Sequence, residues 1–220
     1  MLIEYYILLQ IEVLGKAYKV DEMTNVTPKV ISLLNSNLHL KKNHPLYHLK
    51  KRIIDYMYNR YINARGNPLF SIHNNISPIV STQQNFDSLL IANDHVCRLK
   101  SDTYYLNSDY LLRTHTSAHQ VDLIKMGLDN FIVMGDVYRR DVVDKTHFMS
   151  FHQAEGVRLV SKEDIFGHLQ NIKEYRLFEN RDRTDKNQGV HSDVTIKFLT
   201  YDLKSCLEEL AYKLFGKGLL

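Results

Sequence analysis

The sequence predicts an α+β fold, an antiparallel sheet flanked by helices, and three observations carry that prediction. Two runs with the period of a β-strand lie either side of a polar loop between about residues 131 and 158. Apolar residues recur at helical spacing in residues 44–64 and again in 194–215. Helical and extended segments alternate along the chain with no internal repeat, as they do when helices pack onto one sheet.

Thr27-Pro28 reads as an N-cap with proline at the first helical position, opening a short helix to about Asn35. A longer helix is expected over His44–Ala64, with Leu46, Leu49, Ile53, Met57 and Tyr61 facing the core and Gly66 and Pro68 ending it. Leu69–Ile72, Pro78–Val80 and Thr103–Leu106 read as short strands. Thr116 or Ser117 begins a helix that Gly127 terminates, and Ser161 with Asp164 has the spacing of a capping box. Asn171–Asp193 is crowded with charge and amides and reads as a mobile surface insertion. From Val194 helical spacing returns through Ile196, Leu199, Leu203, Leu207, Leu210 and Leu214.

The run GDVYRRDVVDKTHFMSFHQAEGVR, Gly135–Arg158, is the chemically richest part of the chain. Alternation puts Phe151, Gln153, Glu155 and Val157 on one face of the second strand, and His152, Ala154, Gly156 and Arg158 on the other. Val133, Gly135, Val137 and Arg139 share a face of the first strand. Antiparallel pairing then sets Arg139 beside the Phe151–Gln153–Glu155 row, and Arg139, His147, Gln153 and Glu155 are expected in one small volume. A cation, an amide and a carboxylate so placed suit a zwitterion lying next to a phosphate. The plainer reading is an ordinary hairpin with a salt-bridged edge. An amide and a carboxylate on the same face as Phe151 count against it, because burying them requires partners.

Composition narrows the classes. A chain of 220 residues bounds one or two domains and buries a real core, and its 44% hydrophobic content is that of an ordinary globular protein. A net charge of +3 permits contact with RNA phosphates without demanding it. Cys97 and Cys206 form neither a C-x-x-C pattern nor a disulfide framework, which fits a reducing compartment. The opening run MLIEYYILLQIEVL is broken by Glu4, Gln10 and Glu12 and is too short to span a bilayer, so no membrane partner is expected. Its first basic residue is Lys16, so the run has neither a secretory n-region nor an Arg-rich transit-peptide character. His115 and His119 are four apart, but HTSAH has no glutamate of the H-E-x-x-H kind and no evident third ligand, and no metal site is expected there.

Three motifs, in order, carry a resemblance to a known family. GDVYRRD…DKTHFMSFHQAEG resembles motif 2 of a class II aminoacyl-tRNA synthetase in the version found in phenylalanine–tRNA ligases. RTHTSAHQ, Arg113–Gln120, is similar to that family's amino-acid-binding segment. SPIVSTQQNFDSLLIANDH, Ser77–His95, is similar to its motif 1 strand and the segment directly after that strand. The likeness runs from about Val13 to Phe215 and is strongest to the single-chain mitochondrial type. It departs after Asp94, where the family usually carries prolines and this chain has His95-Val96-Cys97-Arg98, and at Ala92, where proline is common.

The resemblance implies a partial class II catalytic core over residues 1–220, with 1–40 as an N-terminal extension and 171–193 as a charged surface insertion. Motif 3 and the anticodon-recognising domain are expected to be missing, leaving an exposed sheet edge and impaired activity. It implies activation of L-phenylalanine with ATP and Mg²⁺, transfer to tRNA(Phe), a monomer, and a mitochondrial matrix address. Arg139 becomes the catalytic residue and an ATP ligand, His147 approaches the ATP phosphates, and Phe151 stacks on adenine. Arg140, on the opposite face by parity, becomes structural. His115, Ser117, His119, Gln120, Gln153 and Glu155 become the phenylalanine pocket. For Ser117 a simple N-cap role stays open beside the substrate role. A catalytically inactive synthetase-like interaction protein and an RNA-binding protein stay open as alternatives.

Overall fold

The computed structural model describes residues 10–140, 142–179 and 189–216. The start of the apolar opening run, Asp141 of the hairpin loop and the middle of the charged segment lie outside the described residues.

The chain opens with a hairpin of β1 (Gln10–Val13) and β2 (Lys16–Lys19), turned by Leu14 and Gly15, both at positive φ. Helix α1 (Pro28–Leu33) starts as expected, with the Thr27 hydroxyl accepting from the Val30 N–H. A 3₁₀ turn over Leu38–Leu40 leads into α2 (Pro45–Arg60), whose first turn is capped by the His44 ring. This helix stops four residues before Ala64. The Asn63 carboxamide oxygen takes the N–H groups of Arg65 and Asn67 at 2.9 and 3.0 Å and curls the chain into a turn that continued helix forbids.

Three short elements come next: β3 (Ser71–His73), β4 (Ile79–Ser81) and α3 (Thr82–Asn85), the last opened by a Ser81/Gln84 capping box. The strand expected at Thr103–Leu106 reduces to one bridge, Tyr105 to Leu111, and the strand that forms is β5 (Tyr110–Leu112), paired with β4. The Asn107 side chain causes this, since its oxygen accepts from the Asp109 and Tyr110 N–H groups and turns the chain back there. A 3₁₀ turn over Thr116–His119 runs into α4 (Gln120–Lys125), and Gly127, at φ 84°, terminates it.

The two predicted strands are β6 (Asn130–Tyr138) and β7 (Ser150–Arg158), antiparallel along their whole length, with Val137 opposite Phe151, Gly135 opposite Gln153 and Val133 opposite Glu155. On the far side of β6 lies β3, and it runs parallel. Helix α5 (Lys162–Phe166) carries the predicted Ser161/Asp164 box, and α6 (Asp193–Phe215) the predicted C-terminal helix.

Helices flank both faces of the β3–β6–β7 sheet. Ile132 and Met134, on one face of β6, pack with Phe70 against Ile53 and Met57 of α2. Phe131 and Val133, on the other, pack with Leu123 of α4. Residues 10–40 are integral to the core: Val13, Tyr18, Val30 and Leu34 pack with Tyr104, Leu106, Leu112, Tyr138 and Met149. In α2 the one fully buried side chain is Tyr56, whose hydroxyl donates to the Cys206 carbonyl of α6 at 3.0 Å. Helix α6 buries Thr195 and Cys206 and leaves Ile196, Leu203 and Leu207 about half exposed. No described helix is long and apolar enough to cross a membrane.

Candidate active site

The front face of the β6–β7 hairpin, the face bearing Arg139, Phe151, Gln153 and Glu155, meets one segment of backbone, residues 113–119. The Ser117 hydroxyl donates to Glu155 Oε2 at 2.5 Å and the Thr116 hydroxyl donates to the same oxygen at 3.2 Å. The Thr116 N–H donates to Gln153 Oε1 at 3.3 Å. Arg139 Nε donates to the Thr114 carbonyl at 3.0 Å, and its guanidinium carbon stands 5.1 Å from the centre of the Phe151 ring. A cation and a carboxylate therefore open on the same side of the sheet, held to one loop. Arg140 lies apart, its Nη1 donating to the Lys100 carbonyl at 2.6 Å, as parity requires of a structural residue.

Two expected site residues, His119 of the phenylalanine pocket and His147 of the ATP site, take other places. His119 is buried, with Nε2 2.9 Å from Arg113 Nη1. Burial, and then the Arg113 charge, push its pKa down to about 4. His119 thus serves as a neutral acceptor under the site. His147 is exposed, with Nδ1 3.0 Å from each Asp144 oxygen, and no hydrogen bond or ion pair among the described residues joins it to Arg139, Gln153 or Glu155. Asp144, which also takes the Thr146 and His147 N–H groups, closes the loop on itself and turns the ring outward. Phe148 is likewise 49% exposed, whereas Phe131 is a core residue.

His115 does face the row. Its Nδ1 is buried with no hydrogen-bond partner. Burial lowers its pKa; the nearby Glu155 carboxylate raises it, and Arg139 lowers it further. Gln120 is half-buried at the first residue of α4. Ser117 is no N-cap: its hydroxyl is spent on Glu155, and the helical run starts with a His115 cap that makes no side-chain bond.

Sequence reasoning missed the floor of the site. Arg113 is 3% exposed, and its Nε donates to the Asp136 carbonyl at 2.7 Å and its Nη1 to the Ile76 carbonyl at 3.3 Å. Burial lowers its pKa while Asp136 and Tyr138 hold it up, and the guanidinium stays a cation. A Cβ on Gly135 would lie 2.0 Å from Arg113 Nη2, so only glycine lets this cation slide under the row. Asn85, fully buried, fixes the backbone above: its Nδ2 donates to the Thr114 hydroxyl at 2.9 Å and its Oδ1 accepts the Thr114 N–H at 3.1 Å. The only advance signal for either residue was its place inside the family motifs.

An antiparallel hairpin with an arginine on one strand, an amide and a carboxylate on the next, and a hydroxyl-rich 3₁₀ turn across from them defines a class. The chain belongs to the class II tRNA synthetase core family: the model described as "tRNA synthetases class II core domain (F)" matches residues 30–183, which hold every residue of this site. Within that class it is similar to "Phenylalanine--tRNA ligase, mitochondrial" of Rattus norvegicus, 47% identical over 209 residues, covering 95% of this chain and 44% of the relative. It is 44% identical over 220 residues to "Probable phenylalanine--tRNA ligase, mitochondrial" of Drosophila melanogaster, covering 94% and 49%. To the mitochondrial phenylalanine--tRNA ligase of Saccharomyces cerevisiae it is 45% identical over 239 residues, covering 94% and 50%. The chain spans about half the length of these curated relatives.

Proposed function

We propose that this chain is the amino-acid-activating part of a phenylalanine–tRNA ligase, taking L-phenylalanine and ATP to the aminoacyl adenylate for transfer to tRNA(Phe). The observation that carries the reading is Glu155, fixed by the Ser117 and Thr116 hydroxyls on the same face as Arg139. A carboxylate oriented by two donors presents its remaining lone pairs to the substrate ammonium, and Gln153 adds an amide oxygen. His115, part-buried and kept neutral by its lowered pKa, lines the same volume.

The reaction needs no side-chain nucleophile. The substrate carboxylate attacks the α-phosphorus, a carboxyl–phosphorus bond forms, and the α–β phosphoanhydride bond breaks to release pyrophosphate. Arg139 has its Nε anchored on Thr114, so the outer edge of its fork meets the oxygens of the attacked phosphate as their charge grows. Phe151 supplies a ring beside that fork for the adenine. Glu155 is the one carboxylate of the row and its Oε2 already accepts two hydroxyls, so Mg²⁺ enters on the phosphates of ATP and not in a protein cage. His147 reaches the phosphates if its loop releases Asp144. A mitochondrial address belongs to the same reading, supported by the mitochondrial relatives, and a matrix location and a monomeric state are proposed with it. So does the division into an N-terminal segment, a core and a charged insertion at 171–193.

Phenylalanine-dependent ATP–pyrophosphate exchange, with calorimetric titration of phenylalanine and ATP, tests the proposal. Phenylalanine is expected to bind, and Glu155→Gln to weaken it by about 10- to 100-fold, the range for losing hydrogen bonds to a charged group. RNA binding with no response to phenylalanine or ATP would instead support the RNA-binding alternative.

A further inference from the structure

Behind the catalytic row, on the opposite face of the same hairpin, three polar side chains each turn one buried atom toward the other two. His39 comes from the 3₁₀ turn Leu38–Leu40, Asp136 from β6 and His152 from β7. His39 is 4% exposed and Asp136 3%. One ligand-capable atom from each lies within 4.8 Å of the other two. His39 Nδ1, Asp136 Oδ1 and His152 Nε2 are all buried, and none makes a hydrogen bond of acceptable geometry. Three such atoms turned toward each other are a donor set for a cation.

The tautomer strengthens the point. His39 Nε2 stands 2.8 Å from the Asn74 carbonyl, which can only accept, so Nε2 carries the proton. In the neutral ring Nδ1 is then a bare lone pair, and it faces Asp136 Oδ1 at 3.5 Å. Lone pair against carboxylate is repulsive unless a second ring proton or a metal ion sits between them, and the convergence of His152 on the same oxygen favours the ion. Two ligands of one tetrahedral ion with bonds of about 2.0–2.1 Å stand about 3.4 Å apart, close to that separation. A backbone carbonyl holding the outer nitrogen of a ligating imidazole is also the usual way such a ring is oriented. His152 Nε2 is nearer to Asp136 Oδ1, at 2.7 Å, and must withdraw by roughly 0.7 Å to share an ion at that ligand spacing. It has room, being the least buried of the three and bordering a cavity of about 120 Å³ that His39, Leu46, Leu49 and Lys50 also line. That cavity exceeds the roughly 30 Å³ share of one water, which supplies a fourth ligand. Asp136 Oδ2 is meanwhile held by the Asn37 N–H at 3.2 Å, which keeps Oδ1 turned inward.

We propose that His39, Asp136 and His152 form a divalent transition-metal site, with Zn²⁺ as the ion their two imidazoles and one carboxylate suit best, completed by a water from the adjoining cavity. The ion ties the segment before α2 to both strands of the hairpin. It thereby stiffens, from behind, the strands whose front carries Arg139, Gln153 and Glu155. The site does not depend on what the front face binds.

The test is metal binding by the 220-residue chain, stripped with a chelator, reloaded with Zn²⁺ and desalted. Elemental analysis should find one Zn²⁺ per chain, and Co²⁺ in its place should give the visible absorption of a tetrahedral centre. His39→Gln and His152→Gln should each weaken Zn²⁺ binding by more than about 100-fold, beyond the loss seen when only an outer-shell partner is removed. His95→Ala, in an exposed histidine–cysteine contact elsewhere, should leave it unchanged. Failure of the wild-type chain to retain Zn²⁺, or equal retention by the two glutamine variants, overturns the proposal. If those variants do not fold, ring-nitrogen NMR of the wild type decides. One equivalent of Zn²⁺ should move the His39 and His152 signals together, and signals that stay in place refute the site.

Discussion

The two faces of the β6–β7 hairpin are built from alternating residues of the same two strands, yet they solve the burial of polar groups in opposite ways. On the front, Gln153, Glu155 and Arg139 each find a partner in the 113–117 backbone or its hydroxyls. On the back, Asp136 and His152 sit among apolar side chains near α2, and the side chains that Asp136 Oδ1 faces are His152 and His39. Each front-face group keeps capacity beyond the bond that fixes it: a second carboxylate oxygen, an amide nitrogen, the outer edge of a fork. The back-face groups converge on one point. Alternation thus gives a single hairpin one face whose polar groups keep spare capacity and one whose polar groups converge on each other.

The comparison breaks first at Arg139. If the front face is the reacting face, Arg139→Ala should lower pyrophosphate exchange by about 10²- to 10³-fold, the loss expected on removing one donor from a developing anion. Thermal stability should change much less, because its Nε bond to Thr114 is a single contact of a part-buried side chain. Exchange and melting temperature measured on the same preparation separate the two. Equal activity with lower stability would make Arg139 a structural residue like Arg140.

Much of this division was legible in the sequence, and what escaped has a physical reason. Strand alternation put Phe151, Gln153 and Glu155 on one face because a residue's face depends only on its neighbours. The Thr27 cap and the Ser161/Asp164 box were readable for the same reason, each closing within four residues. Arg113 was not, since its three partners Ile76, His119 and Asp136 come from different elements and the chain offers no local sign that they meet. His119 was placed in the pocket by its motif, but a 3₁₀ turn changes which residues share a face, and it turns His119 down toward Arg113. The end of α2 was misplaced because an Asn63 turn outweighs continued helical spacing.

His119 sharpens the comparison through pH. Buried beside the Arg113 cation, it resists protonation down to about 4, against an ordinary value of 6.5. The unfolded chain therefore binds more protons between those limits. The stability His119 contributes is complete above pH 6.5 and is lost as pH falls toward 4, in total roughly 3 kcal/mol. Urea midpoints from about pH 7 to about pH 4 should fall steeply in the wild type and less steeply in His119→Gln, whose amide accepts from Arg113 without titrating. Parallel profiles would show that His119 does not couple to folding.

Gly135 is where the front face meets its floor. Alanine there would put a methyl carbon 2.0 Å from Arg113 Nη2. The end of an arginine usually swings clear, but this one is fixed by carbonyls of Ile76 and Asp136 and by His119. Gly135→Ala should cost about 1–3 kcal/mol, as overpacking does, and weaken phenylalanine binding because Gln153 is its cross-strand neighbour. Denaturant unfolding and calorimetry on the variant check both. An unchanged stability would mean that Arg113 is free to leave its pocket.

The smallest effect is expected at the far end of the back face, away from His39, Asp136 and His152. Leu203 of α6 borders a cleft of about 570 Å³ lined also by Met57, Phe70, Ile132 and Leu207, and it is 59% exposed. A side chain that remains mostly in water contributes little burial energy, so Leu203→Ser should change stability by no more than about 0.5 kcal/mol and leave the Arg139 and Glu155 phenotypes intact. Buried Cys206, one helical turn on, sits against Tyr56, and truncating it to alanine should cost more than the leucine does. Stability falling further for Leu203 than for Cys206 would show that this cleft closes in solution, making the outer surface of α6 as much a part of the core as the two faces of the hairpin.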